Sequence, residues 1–124
     1  MRLGLVILIA ALGSCAAPPP DSVPRQPVEL NGRSAGASQR CVPIEQSEAL
    51  RPSDSDRHTL LYGSGKTIWV NRLGPDCGFS SSDTLVTEPI GSFHCRGDLV
   101  RSFDHFTKIP GPTCVLGDFT SYTR

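Results

Sequence analysis

The sequence predicts an all-β domain, a small antiparallel five-stranded barrel or rolled sheet stapled by disulfides. Three observations carry that expectation. Short apolar runs of strand length recur at regular spacing, separated by turn residues and without a long helical period. No crossover helix lies between the runs, which favours antiparallel pairing. Four cysteines, Cys41, Cys77, Cys95 and Cys114, are spread through the same stretch. An exported domain this small uses such an even set as two disulfides, because its core leaves little other margin of stability.

The folded part is expected over residues 41–124. Ile44 to Leu50 reads as one or two helical turns, stopped by Pro52. Asp54-Ser55-Asp56 is a turn. Arg57 to Tyr62 and Thr67 to Leu73 are the clearest strands, joined as a hairpin by Gly63-Ser64-Gly65-Lys66. In the second of them Ile68 and Val70 share one face, and Thr67, Trp69 and Asn71 the other. Gly74-Pro75-Asp76 ends it. Asp83 to Glu88 is a third strand, Leu99 to Phe103 a fourth and Val115 to Tyr122 a fifth, with Pro110-Gly111-Pro112 forcing a tight connection before the last. Tyr62, Phe93, Phe103, Phe106, Phe119 and Tyr122 are expected to share the core and its rim. No internal repeat is visible.

Four cysteines allow three pairings. The preferred one joins Cys41 to Cys114 and Cys77 to Cys95. Cys41 opens the folded region and Cys114 enters its last strand, and in a nearly closed sheet first and last strands tend to be neighbours. Cys77 and Cys95 flank one strand-sized segment. Loops of this length contribute roughly 3–4 kcal/mol each on the chain-entropy model. A zinc site built from these thiols with His58, His94 or His105 is the alternative. The spacing opposes it, since there is no C-x-x-C and no H-x-x-x-H pair. The expectation is no metal and no cofactor.

Ahead of the domain, residues 1–14 read as a lipoprotein signal peptide. Arg2 supplies a positive n-region, and Leu3 to Ala11 is an uncharged apolar h-region. The run is too short to span a bilayer, which takes about 20 residues. Leu12-Gly13-Ser14-Cys15 then matches the bacterial lipobox, an aliphatic residue followed by small residues and a cysteine. Cys15 is the expected lipid-attachment site. Its thiol takes a diacylglycerol, the signal is cut before it, and the freed amino group is acylated as well. Several chains make a stable anchor at about 0.8 kcal/mol per buried methylene. The alternative, an ordinary cleaved signal with a cysteine nearby, still exports the protein. Position 16 is Ala and not Asp, so nothing argues for retention at an inner membrane. The expected location is the cell envelope, lipid-anchored at the outer membrane and facing the periplasm. Residues 15–40 read as the lipidated cysteine and a Pro/Gly/Ser-rich tether, stiff in its proline half and flexible in its second half, that spaces the domain from the bilayer.

Twelve basic and twelve acidic residues give a formal net charge of zero, and they are interspersed. No basic stripe supplies a footprint for nucleic acid. The expected partners are the membrane, through the anchor, and an envelope protein.

Several local patterns invite chemistry. Gly63-Ser64-Gly65-Lys66 lacks P-loop spacing and sits between strands, so a hairpin turn fits it better than a phosphate cradle. Its exposed Ser64 and Lys66 form a candidate recognition loop. Here the chain resembles the membrane-bound lysozyme inhibitors, small disulfide-stapled β-barrel lipoproteins that insert a Ser/Lys-bearing loop into the lysozyme cleft. The resemblance implies that role for Ser64 and Lys66; the second inhibitor motif, a Lys-Gly pair near an aromatic, is not present. Arg96-Gly97-Asp98 matches an integrin-binding tripeptide, but reads as a turn leading into a strand, with Arg96 and Asp98 paired. Asp104-His105 with Ser64 suggests a triad, yet no Gly-x-Ser-x-Gly elbow holds a nucleophile. No catalytic residues are assigned.

A longer resemblance covers roughly Arg40 to Tyr122. It is carried by Arg40-Cys41-Val42-Pro43-Ile44, Val70-Asn71-Arg72-Leu73 with Cys77-Gly78, Cys95-Arg96-Gly97-Asp98, and Gly111-Pro112-Thr113-Cys114-Val115-Leu116-Gly117-Asp118-Phe119. With its four cysteines this is similar to a family of small exported proteobacterial proteins of unknown function. It implies an exported β-rich domain and transfers no site residues. The functional expectation is a non-catalytic envelope binding or accessory module, with inhibition of a periplasmic or host hydrolase such as lysozyme as the alternative. An accessory binder needs an apolar patch of several residues, an inhibitor needs the 63–66 loop exposed and rigid, and an enzyme needs a histidine beside a carboxylate.

Overall fold

The computed structural model describes residues 13–15 and 26–124. It is all-β, with every strand pair antiparallel. Ten strands follow in chain order: β1 (Ser34–Gln39), β2 (Cys41–Pro43), β3 (Arg51–Pro52), β4 (Thr59–Tyr62), β5 (Thr67–Arg72), β6 (Asp83–Thr87), β7 (Phe93–Cys95), β8 (Leu99–Asp104), β9 (Pro110–Val115) and β10 (Phe119–Thr123). They form a five-stranded sheet ordered β1-β10-β5-β4-β3, a three-stranded sheet β6-β8-β9, and a two-stranded ribbon β2-β7. The sheets roll around a main core, and among the described residues no barrel closes.

Period-two alternation builds that core. Leu60 and Tyr62 of β4, Phe119 of β10 and the half-buried Trp69 of β5 point inward from the large sheet. Val100 and Cys114 meet them from the three-stranded sheet, Val42 from the ribbon, and Leu50, Leu73, Phe79 and Leu116 from the connections. The opposite face of the large sheet carries Leu61, Ile68 and Val70. Leu30, fully buried at the end of a 3-10 turn (Val28–Leu30), covers them with Tyr122 alongside.

The β4, β5, β6 and β8 strands lie where the alternation places them, within two residues at each end. Three features differ. The expected strand Val115 to Tyr122 is two strands, β9 and β10, in different sheets. The Leu116–Asp118 segment crosses between them, and Pro110 and Pro112 sit within β9 at a sheet edge, where a missing N–H costs nothing. The segment 44–50 contains a single turn, Glu48 N to Glu45 O at 3.2 Å, and no helix. The tether expected as far as Arg40 ends sooner: Pro27 and Leu30 are buried, and β1 pairs with β10 although all six of its residues are exposed. Its Ser-Ala-Gly-Ala-Ser-Gln sequence contributes backbone hydrogen bonds and almost no apolar burial, which is why its composition reads as linker. Residues 16–25 lie outside the described residues, as do residues 1–12 of the expected signal peptide; Cys15 is exposed and in no disulfide.

The two disulfides join Cys41 to Cys95 and Cys77 to Cys114, which corrects the expected pairing of Cys41 with Cys114 and Cys77 with Cys95. Cys41 and Cys95 are directly opposite in the β2–β7 ribbon, with Cα atoms 4.1 Å apart. The loop after β5 brings Cys77 to Cys114 of β9, Cα to Cα 5.9 Å. First and last strands are indeed neighbours. The first strand, however, is β1, which has no cysteine, and Cys41 lies beyond it in another sheet.

Candidate functional site

The 63–66 loop is the hairpin the sequence predicts. Gly63 and Gly65 take φ of 90° and 77°, a region glycine enters without a Cβ penalty. Ser64, Gly65 and Lys66 are exposed. The backbone beneath them is held from three sides. Arg51 Nη2 donates to Gly63 O (3.0 Å), Arg33 Nη2 and Nη1 donate to Gly65 O (2.7 Å) and Lys66 O (2.8 Å), and Arg124 N donates to Lys66 O (3.1 Å). The Ser64 hydroxyl donates to Glu48 Oε1 at 2.6 Å. Ser64 and Lys66 thus rim a cleft of about 330 Å³ walled by Glu45, Glu48, Tyr62 and Trp69. The loop is exposed and braced, but its serine is already bonded and acidic groups stand beside its lysine.

The three histidines have different surroundings. His58 lines a cleft of about 430 Å³ with Asp56, Thr59 and Arg72. Its Nδ1 lies 2.7 Å from Cys77 O and, facing a carbonyl, is the donor. The neighbouring Asp56 accepts instead from the His58 amide (3.0 Å) and the Thr59 hydroxyl (2.7 Å). Burial alone pushes the Asp56 carboxyl up, but these bonds, with the positive potential of His58 and Arg72, hold it below the usual carboxylate range. His94 is buried against the edge of the Tyr62 ring, centroids 5.2 Å apart, and its Nδ1 has no partner among the described residues. Burial depresses its pKa, against the upward pull of Asp98. His105 sits on the β8–β9 turn, 3.5 Å from the Thr84 hydroxyl. Among the described residues no imidazole nitrogen bonds a carboxylate, and no three ligating side chains converge as a metal site. Asp104 and His105 stand at the end of the three-stranded sheet, whereas the Ser64 hydroxyl, in the large sheet, is bonded to Glu48; the suggested triad is not assembled.

Arg96-Gly97-Asp98 closes the β7–β8 turn. Gly97 N bonds Leu116 O (2.9 Å), and Asp98 Oδ2 accepts from Cys95 N (2.9 Å). Arg96 pairs with Asp118 at 3.3 Å and not with Asp98, because Asp98 folds back onto its own turn.

The feature that sequence reasoning missed is an unpartnered apolar face. The registers Leu99↔Val115, Val86↔Arg101 and Thr84↔Phe103 put these side chains on the outer side of the three-stranded sheet. Val86, Leu99 and Val115 are 44%, 40% and 54% exposed, and Arg101 reaches Glu88 at 3.5 Å beside them. At the end of this sheet the turn after β8 lifts Phe106, 81% exposed, and Ile109 into solvent. Phe106 therefore does not belong to the core or its rim, and Phe93 is also half-exposed. The signal was faint because inward Ser102 is polar, bonded to Pro112 O at 3.1 Å, while outward Leu99 and Phe103 are apolar. The usual apolar-in, polar-out alternation is blurred on β8. Comparison with protein families, with curated proteins and with solved structures finds nothing that matches this chain.

Proposed function

We propose that this chain is a lipid-anchored envelope lipoprotein acting as a non-catalytic accessory module, and that it binds another envelope component through the outer face of β6-β8-β9. The observation that carries the reading is that apolar face, Val86, Leu99 and Val115 exposed together on a rigid sheet. Scattered exposed apolar residues are ordinary; several on one flat face mark an interaction surface. Export is supported by two disulfides, which persist in oxidising compartments. The anchor rests on Leu12-Gly13-Ser14-Cys15, and the placement at the outer membrane facing the periplasm on Ala16. The resemblance to small exported proteobacterial proteins is consistent with all of this.

The test is site-specific photocrosslinking in cells. A crosslinker at Val115 or Leu99 should capture one defined envelope protein, and Cys15→Ala should weaken that capture. A crosslinker at Ser64 should not give it. Equal capture from both positions, or none from the sheet face, overturns the reading.

The second reading, inhibition of lysozyme or another hydrolase, is favoured by the exposed, arginine-braced 63–66 loop. The purified domain should then slow lysozyme lysis of cell walls, and Lys66→Ala should abolish the effect. Lysis unaffected by the unsubstituted domain removes this reading.

A further inference from the structure

We infer that the β8–β9 turn is a membrane-contacting tip: Phe106 and Ile109, with Lys108 between them, rest in the interface of the bilayer that holds the chain's own lipid anchor. This rests on the lipid-anchor reading of Cys15. Two large apolar side chains, 81% and 64% exposed, project from one turn. That turn is braced. Asp104 Oδ1 accepts from the amides of Phe106 (2.9 Å) and Thr107 (2.8 Å), Asp104 N donates to Ile109 O (2.9 Å), and Lys108 holds a left-handed φ of 61°. Apolar groups are thus displayed on a fixed support. The turn's exposed lysine, Lys108, holds its ammonium over the Phe103 ring at 5.6 Å, beside these two side chains. Aromatic and aliphatic groups with a flanking lysine suit the headgroup–acyl boundary, where the ring enters and the ammonium stays wet.

The position of the anchor selects the bilayer as the occupant. The folded chain begins at Pro27, so residues 16–26 reach at most about 40 Å from Cys15. The point of entry is on the same side as the tip. Glu29 and Asp54 share the walls of a cleft of about 400 Å³ with Asp83 and Thr84. Asp83 pairs with Asp104, and His105 N donates to Ser82 O at 3.1 Å, so the turn springs from the far wall of that cleft. Val28, next to Glu29 in the chain, is a further exposed apolar side chain. Three of the acids at this end accept from backbone amides, Glu29 from Asp54 N, Asp83 from Ser80 N and Asp104 from its own turn, while the Asp54 side chain is exposed. A chain of this length entering there lets this end reach its own membrane.

The experiment uses the mature lipidated protein in vesicles of phosphatidylethanolamine and phosphatidylglycerol, with and without brominated acyl chains. The Phe106→Trp variant places a reporter at the tip; Trp69, half-buried in the large sheet, supplies the baseline in the unsubstituted protein. Brominated lipid should quench the Phe106→Trp emission severalfold more than the baseline, and iodide in the water should lose severalfold in access to it. The Ile90→Trp variant, an exposed site beyond the opposite end of β6, should show neither change. If the protein floats with the vesicles and brominated lipid leaves the Phe106→Trp signal at baseline, or quenches both variants alike, the tip proposal falls while the anchor stands. A protein that does not float overturns the anchor reading and this inference with it.

Discussion

Asn71→Leu should destabilise the fold by about 2–3 kcal/mol although it keeps the γ-branched shape of the side chain. Asn71 is fully buried on β5. Its Nδ2 donates to Gly117 O at 2.7 Å and its Oδ1 accepts from Gly117 N at 2.8 Å, 46 residues along the chain. This two-bond clamp holds the Leu116–Asp118 crossing, which carries the chain from the three-stranded sheet into β10. Leucine removes both bonds and leaves the Gly117 N–H and C=O without a partner. A net bond contributes about 1 kcal/mol, and orphaning a buried group costs about 1–3 kcal/mol. Gly117 is half-exposed, so water reaches it in part and the lower end of that range applies. Thermal unfolding with the disulfides intact, read by Trp69 fluorescence, should show a Tm lower by roughly 10–20 °C. Gly117→Ala tests the same clamp from the other side, since a Cβ there meets Arg72 O at 2.8 Å. Both substitutions act on the Leu116–Asp118 crossing, so their costs should be less than additive in the double variant. A loss below about 0.5 kcal/mol for Asn71→Leu, or full additivity in the cycle, would refute the clamp.

Three further outcomes follow from the same structure. Non-reducing peptide mapping should recover Cys41 linked to Cys95 and Cys77 linked to Cys114, and opening either loop, 54 or 37 residues in separation, should cost about 4 kcal/mol on the chain-entropy model. The Glu29 carboxyl is pushed up by burial but held below the ordinary range by its own amide, the Asp54 amide and the Ser53 and Ser55 hydroxyls. The unfolded chain therefore binds more protons than the fold. The stability from Glu29 is present above the unfolded pKa near 4.3 and is lost as pH falls through the folded one. Urea midpoints measured from about pH 6 downward should fall toward acid, and Glu29→Gln should flatten that fall. His94→Leu removes a buried ring nitrogen without a partner and should stabilise by about 1 kcal/mol in urea unfolding; a loss of that size would show that the nitrogen is satisfied.

Local signals read well where one short segment decides the outcome. The Gly63-Ser64-Gly65-Lys66 turn is a hairpin because two glycines meet its positive φ values, and no distant residue is needed for that. Ile68 and Val70 share a face of β5 because alternation is a property of the strand alone. Cysteine parity in a small domain sufficed for two disulfides. The candidate recognition residues Ser64 and Lys66 are exposed as the turn implies, whereas their arginine brace from Arg33 and Arg51 arrives from other strands and left no mark near the loop.

What the sequence determined by itself is the all-β class, the positions of β4, β5, β6 and β8, and the 63–66 turn, since hydrophobic period and turn chemistry act within a few residues. The tertiary structure alone decided the disulfide partners, the division of Val115 to Tyr122 between two sheets, and the inclusion of β1 and Leu30 in the fold. It also decided which apolar side chains stay outside. Each depends on which strand lies beside which, and that is set by long-range packing and backbone pairing; β1 shows the extreme, a strand held by hydrogen bonds to β10 with no buried side chain of its own to announce it.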